Sequence, residues 1–369
     1  VGAPEGGPRI RKLTTTGVAV RDLTRACVHC GLCLESCPTY RVLREEADSP
    51  RGRVLLVDAL LEGRVREREA RVHLDRCVGC LACETSCPSG VPYGHLLEEA
   101  RRRLGAPLLA RLFLNHVLTR PRAVRALAKA ARMLGLAPPA GRALPWPAPP
   151  SRPKARVALH LGCVTQYLFP RLPFEAAHAL TRLGYRVEVP PGQACCGALH
   201  RHAGVDAGHL LERNARAFSG FDLAVSLAAG CSTTPGLTDI CRVLLAERPF
   251  AGARLPAVRV AFDAPCHLLH AQGVDAAPLL DAIEGVERVS LPGASECCGA
   301  GGLYMGLQPS LARRVRAKKV AEILATRAPV VATPNPGCMA WIWRGLRAAG
   351  STAEVLHPVT LLARAFGHP

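Results

Sequence analysis

Two runs of four cysteines constrain this chain more than any other feature. The first is Cys27-x2-Cys30-x2-Cys33-x3-Cys37-Pro38, and the second is Cys77-x2-Cys80-x2-Cys83-x3-Cys87-Pro88. Three cysteines at x2 spacing sit on one curled loop and can reach three irons of a cube. The fourth thiolate must arrive from another direction, and in two-cluster proteins with this run it serves the other cluster. The expected sets are Cys27, Cys30, Cys33 and Cys87 around one [4Fe–4S] cluster, and Cys77, Cys80, Cys83 and Cys37 around a second. Pro38 and Pro88 fix φ and turn the chain away after each fourth ligand. Tetrahedral zinc has no need of a third and fourth cysteine at this spacing, twice over. A chain so built is expected to move single electrons.

Seventeen cysteines in 369 residues are an odd count in a long chain. Secreted disulfide frameworks are short and their cysteines pair off, so reduced, metal-binding thiolates in a cytoplasmic setting are expected. No apolar run reaches the ~18–20 residues that span a bilayer. Val1 to Lys12 is Gly/Pro-rich without an apolar core, which reads as no secretory signal. The formal charge of +18 has two readings: an ordinary arginine-rich surface, or docking onto acidic partners or anionic lipid. Nucleic acid is not an expected partner, because aromatics are only 4% and no basic stripe interleaves with them.

The organisation predicted is a multidomain α/β chain. Residues 1–20 form a lead-in. Residues 21–95 form an α-helical two-cluster ferredoxin-type domain, helical because Arg53 to Glu62 has an apolar face at helical spacing and Gly63 ends it. The helical reading covers Asp48 to Asp75. Residues 96–152 are a basic helical connector with helices over Leu96–Leu104, Leu108–Leu118 and Arg122–Leu134, broken at Pro107 and Pro121. These helices either pack on their own protein or lie on a membrane or partner. Ala137 to Pro153 is a proline-rich linker. The remainder is a repeat, 153–255 and 256–369. Val157 to Cys163 aligns with Val260 to Cys266, Cys195-Cys196-Gly197 with Cys297-Cys298-Gly299, and Cys231 with Cys338. Each copy reads as three strands alternating with helices, hence a parallel sheet. The cysteines then fall at the carboxyl ends of strands, where open α/β sheets bind ligands. Two similar lobes facing each other are expected.

Each repeat offers four cysteines as a candidate additional cluster or metal site: Cys163, Cys195, Cys196 and Cys231, then Cys266, Cys297, Cys298 and Cys338. Adjacent cysteines strain a mutual disulfide but suit neighbouring metal atoms, and Gly197 and Gly299 allow close backbone approach. The alternatives are a degenerate repeat with empty thiols, or redox-active thiols. Cys241, left over, reads as a small buried hydrophobe. His267 is adjacent to Cys266 and is a candidate extra ligand or relay, although a plain surface or core histidine is the simpler reading for it and for His160, His200, His202 and His209. No G-x-G-x-x-G or Walker motif appears. With no flavin or nicotinamide site on this chain, a hydride cannot be split here. A flavoprotein partner, or a substrate at the repeats, is required.

The segments Ser49-Pro-Arg-Gly-Arg53, His73-Leu-Asp-Arg-Cys77, Cys83 to Tyr93, both Cys-Cys-Gly motifs and Cys266 to Gln272 resemble the iron–sulfur subunits of glycolate oxidase (glycolate dehydrogenase), over about Asp22 to Gly367. The resemblance implies a complex with FAD-binding flavoprotein subunits (GlcD- and GlcE-like) that oxidise glycolate to glyoxylate. It implies that electrons leave singly through this subunit toward a quinone or another acceptor, with peripheral contact to the cytoplasmic face of the membrane. Other readings are a subunit of a related lactate or 2-hydroxy-acid, glycerol-3-phosphate or heterodisulfide-type oxidoreductase, or a cluster-bearing sensor or scaffold. The repeats also resemble those of the Cys-Cys-Gly subunit of heterodisulfide reductase, which hold non-cubane clusters. There the motif ends in Cys-x2-Cys. Here Cys231 is followed by Ser232-Thr233-Thr234 and Cys338 by Met339-Ala340-Trp341, so that last cysteine is missing.

Overall fold

The computed structural model describes residues 20–141 and 144–367. Most of the lead-in expected at 1–20 lies outside them. The cysteine runs are held by short helices, Val20–Arg25, Pro38–Leu43, Pro50–Leu61, Glu67–Asp75, Ala82–Thr85 and Tyr93–Leu104. Their apolar faces (Val54, Val57, Leu60, Ala70, Leu74, Leu96, Leu97) meet in one core. The helical stretch expected from Asp48 to Asp75 is two helices, because Gly63 takes φ +71° and turns the chain between them.

The motif Ser49-Pro-Arg-Gly-Arg53 has a local cause at every position. Ser49 Oγ accepts from the Gly52 N–H at 2.9 Å and caps the helix, and Pro50 occupies its first position, where no N–H is needed. A Cβ on Gly52 would lie 2.0 Å from the Glu46 carbonyl oxygen, so only glycine fits. Arg53 is then carried inward, 1% exposed.

The repeats form two four-stranded parallel sheets. The strands are β1 (Arg156–His160), β2 (Arg186–Glu188), β3 (Leu223–Ser226), β4 (Thr238–Asp239), β5 (Arg254–Phe262), β6 (Glu284–Val289), β7 (Val330–Ala332) and β8 (Glu354–Leu356). Their orders are β2-β1-β3-β4 and β6-β5-β7-β8. The registers match between copies: Val157 pairs with Leu223 and Val187, and Val260 with Val330 and Arg288. The central strands β1, β3 and β7 are buried along nearly their whole length, as parallel strands covered on both faces must be. The periodicity predicts three strands per copy. The fourth, β4 or β8, is only two or three residues long and too short to show a pattern.

The two sheets are not separate lobes. Val157, Leu159 and Val225 of the first and Val260, Phe262 and Val330 of the second belong to one apolar cluster, with Leu280 and Leu362. Cys241 is fully buried in it, in the helix Ile240–Ala246, as a small hydrophobe.

The cysteine-run helices dock on both repeats. On the second, the Gly79 carbonyl accepts from His267 Nε2 at 3.0 Å, Thr85 Oγ1 lies 2.9 Å from His270 Nδ1, and Arg41 pairs with Glu296 at 2.8 Å. On the first, Glu98 pairs with His202 at 2.7 Å and Arg101 donates to the His202 carbonyl at 3.0 Å. The connector helices Leu108–Leu112 and Pro121–Met133, joined by a π-helical turn over Phe113–Leu118, cover the first repeat. Their Leu114, Leu118 and Val124 pack around Cys195.

Candidate electron-transfer sites

The structure brings thiols of the two runs together. The Cys33 thiol is pushed up by burial, and its thiol neighbours are Cys27 and Cys87. Cys30, expected with them, is exposed, so this first set lies near the surface. Val28 and Leu32 beside it are also exposed.

The second set is closed in. Cys37, Cys77, Cys80 and Cys83 line one cavity with Arg53 and Tyr93, and all four are buried. Burial pushes the Cys37 thiol up, Arg53 opposes it, and Cys80 and Cys77 are its thiol neighbours. Arg53 Nη1 lies 3.9 Å from Cys37 Sγ and donates to Thr39 Oγ1 at 3.1 Å. Its Nη2 donates to buried Asp48 at 3.3 Å, and Arg76 reaches the same carboxylate at 2.8 Å. Tyr93 donates to Cys77 Sγ at 3.5 Å. Burial works against the guanidinium, but Cys77, Tyr93, Cys37 and Asp48 hold Arg53 above its usual range. Four soft donors from both runs, around one cavity with a buried cation, fit a thiolate-ligated [4Fe–4S] cube. Among the described residues no three His, Cys, Asp or Glu side chains form the donor set of a single metal ion. A cube instead spreads its four thiolates over four irons.

The repeat cysteines also converge, four per copy. In the first, Cys195 Sγ lies 3.5 Å from Cys163 Sγ, and Cys196 is within hydrogen-bonding reach of Cys195 and Cys231. In the second, Cys298 Sγ lies 3.1 Å from Cys338 Sγ, and Asn335 Nδ2 donates to Cys338 at 3.3 Å. The Cys-Cys-Gly turn is the same in both. Gly197 and Gly299 take φ +79° and +83°, and a Cβ would come within 2.8 Å of Ala207 Cβ or the Ala312 carbonyl oxygen. In each copy the second cysteine of the pair is held well below the usual thiol range. For Cys196 the neighbours Cys195 and Cys231 donate to it, and for Cys298 the neighbours Cys297 and Cys338 do.

The two copies differ in setting. Cys163 and Cys231 are half-buried, whereas Cys266, Cys297, Cys298 and Cys338 are all buried. Three residues before the first cysteine, the first copy has His160, whose Nε2 lies 3.0 Å from the Ala194 carbonyl oxygen and whose ring meets Phe218 edge-on. The second has Asp263 there, 2.7 Å from Lys319 Nζ, with both side chains 1% exposed. Nothing in the sequence signals this pair, because Lys319 reads as one more cation on a basic helix. Arg53 is likewise visible there only as part of a motif.

Cys80 links the two kinds of site. Besides lining the cavity with Cys37, Cys77 and Cys83, its thiol is within hydrogen-bonding reach of Cys266 and Cys297, which pull it well below the usual range. It belongs to the same buried cluster as the second repeat's four cysteines. Cys80 therefore brings the ferredoxin-type cavity next to the thiols of the second repeat. Of the histidines, His267 binds the Gly79 carbonyl, His202 binds Glu98, His200 is buried, and His209 is exposed.

Comparison with known proteins finds the same two kinds of segment in this chain. The 4Fe-4S dicluster domain family matches residues 24–91, and the Cysteine-rich domain family matches 157–234 and 260–343. The glycolate oxidase iron-sulfur subunit of Escherichia coli is 31% identical, covering 93% of this chain and 94% of that protein. A probable glycolate oxidase iron-sulfur subunit of Bacillus subtilis is 30% identical over the same shares. A subunit of the fumarate reductase (CoM/CoB) of Methanothermobacter marburgensis is 28% identical over 93% of this chain and 72% of its own. A hypothetical protein from Helicobacter pylori has a similar fold, with TM-score 0.50 at 11% identity over 85% of this chain and 67% of its own. With its paired cysteine runs, its two Cys-Cys-Gly sites and two relatives matched over nearly their whole length, this chain belongs to the glycolate oxidase iron–sulfur subunit family.

Proposed function

We propose that this chain carries single electrons from a partner flavoprotein, in which glycolate is oxidised to glyoxylate, toward a quinone or other acceptor. Cys27, Cys30, Cys33 and Cys87 would hold one [4Fe–4S] cluster and Cys37, Cys77, Cys80 and Cys83 a second. When bound, such clusters supply one-electron redox couples. The chain's own residues do the rest. Arg53 offsets the negative charge of the thiolates it faces. Tyr93 and the apolar core keep water from the second set. His267 and Thr85 hold the Cys77–Cys80 loop against the second repeat, so that Cys80 stands beside Cys266 and Cys297. The exposed Cys30 loop is the natural entry for electrons from a flavoprotein, and the second repeat, with its four buried thiols, is the next station. The observation that carries this reading is Cys80, shared between the cavity and the repeat.

The test is Cys80→Ser in the anaerobically purified complex. Iron falls by about four per chain, and glycolate-driven reduction of the acceptor is lost while the partner's flavin is still reduced. Cys37→Ser, which does not face the repeat, is expected to behave in the same way. Acceptor reduction at the wild-type rate in both variants overturns the proposal. Iron above about eight per chain in the parent protein would mean a further cluster at the repeats.

A further inference from the structure

We propose that the outer face of the connector helices, Leu108–Leu118 and Pro121–Met133, is a docking surface for an anionic lipid bilayer. Fifteen large apolar side chains are exposed among the described residues, and seven of them fall between Leu108 and Leu136. Leu109, Met133 and Leu134 are the barest, at 80%, 78% and 71%. The inner faces of both helices are already committed. Leu114, Leu118 and Val124 share one buried cluster against the first repeat, so the opposite faces are left without a partner.

The charge on this face is of one sign. No acidic residue occurs between Glu99 and Glu175, while Arg111, Arg122, Arg125 and Lys129 are all exposed. Arg122 and Lys129 are spaced i, i+7 and lie along one side of the helix, with Arg125 at the edge of that face, its guanidinium 5.6 Å from the centre of the Tyr167 ring. Leucine and methionine beside arginine and lysine, on a short helix lying flat on the protein, suit the boundary between headgroups and acyl chains. These basic side chains suit negatively charged headgroups. No described helix is long and apolar enough to cross a membrane, so the contact is with the surface only. The inference rests on the proposed reading only in its purpose, the delivery of electrons to a membrane-linked acceptor.

The experiment is co-sedimentation of the anaerobically purified protein with phosphatidylcholine vesicles containing or lacking phosphatidylglycerol. Binding is expected with the anionic vesicles, and it weakens as salt rises. Leu109→Glu/Met133→Glu and Arg122→Glu/Lys129→Glu should each lower binding by about tenfold or more. All four positions are exposed, so the fold is kept, and circular dichroism checks it. No binding by the parent protein overturns the proposal, as does binding by both variants at the parent level. Loss of flavoprotein association with vesicle binding intact also overturns it and assigns the face to a protein partner. Glycolate-driven reduction of a water-soluble dye, read in parallel with each protein assembled with its partner flavoprotein, stays at the parent level in the variants. If the parent fails to reduce it, the electron-transfer reading falls while the vesicle result stands.

Discussion

The Nε2 of His267 lies 3.0 Å from the carbonyl oxygen of Gly79. One residue belongs to the second repeat, next to Cys266. The other sits between Cys77 and Cys80. Burial pushes the His267 pKa down to about 4, so the ring is neutral at pH 7 and donates one N–H to that carbonyl. This bond sets how the ferredoxin-type loop faces the repeat thiols.

Replacing His267 by Leu leaves the Gly79 carbonyl without its donor. The expected cost is about 1–3 kcal/mol, read as a lowered urea midpoint. An unchanged midpoint would show that the joint is held elsewhere.

Arg53 is a buried cation 3.9 Å from Cys37 Sγ. Removing a positive charge disfavours the added electron, so Arg53→Met should lower the reduction potential of the cluster proposed there. Each ~1.4 kcal/mol lost corresponds to about 60 mV for a one-electron couple, and a shift of at least this order is expected. Redox titration followed by EPR reads it, and Arg53→Lys, which keeps the charge, should shift it less.

Lys319 and Asp263 form a buried pair, with Thr333 Oγ1 donating to Asp263 at 2.9 Å. Lys319→Met strands the carboxylate and should cost about 3–5 kcal/mol. Adding Asp263→Asn should recover most of that loss. Denaturation of the single and double variants checks the coupling, and simple additivity would refute it.

His357 caps the helix Pro358–Ala365, its Nδ1 accepting from the Val359 N–H at 3.1 Å. Burial pushes its pKa down to about 3 from the ordinary 6.5. On acidification the unfolded chain takes up the proton first. The stability contributed is therefore full above pH ~6.5 and is lost as pH falls from there toward ~3. Between pH 7.5 and 5.5 the loss is about 1.4 kcal/mol. His357→Asn keeps a capping acceptor without the titration, so its stability should fall less over that interval in urea unfolding.

The cysteine spacing, read without coordinates, is enough to expect two four-thiol sets, because three closely spaced thiols on one loop leave a fourth place to be reached from another direction, and in two-cluster proteins with this run the other run fills it. The repeat is legible for a similar reason. Cys-Cys-Gly needs a glycine at positive φ, and strands ending at cysteines recur in the same order. Local chemistry of this kind is written in neighbouring residues. What the tertiary structure decided is which sites meet. That Cys80 faces Cys266 and Cys297, that the two sheets share one core, that Lys319 lies beside Asp263 and that the second repeat's thiols are buried while the first's are half open all depend on contacts between distant segments. Those contacts are fixed by the packing of whole helices and sheets, and no local spacing in the sequence encodes them.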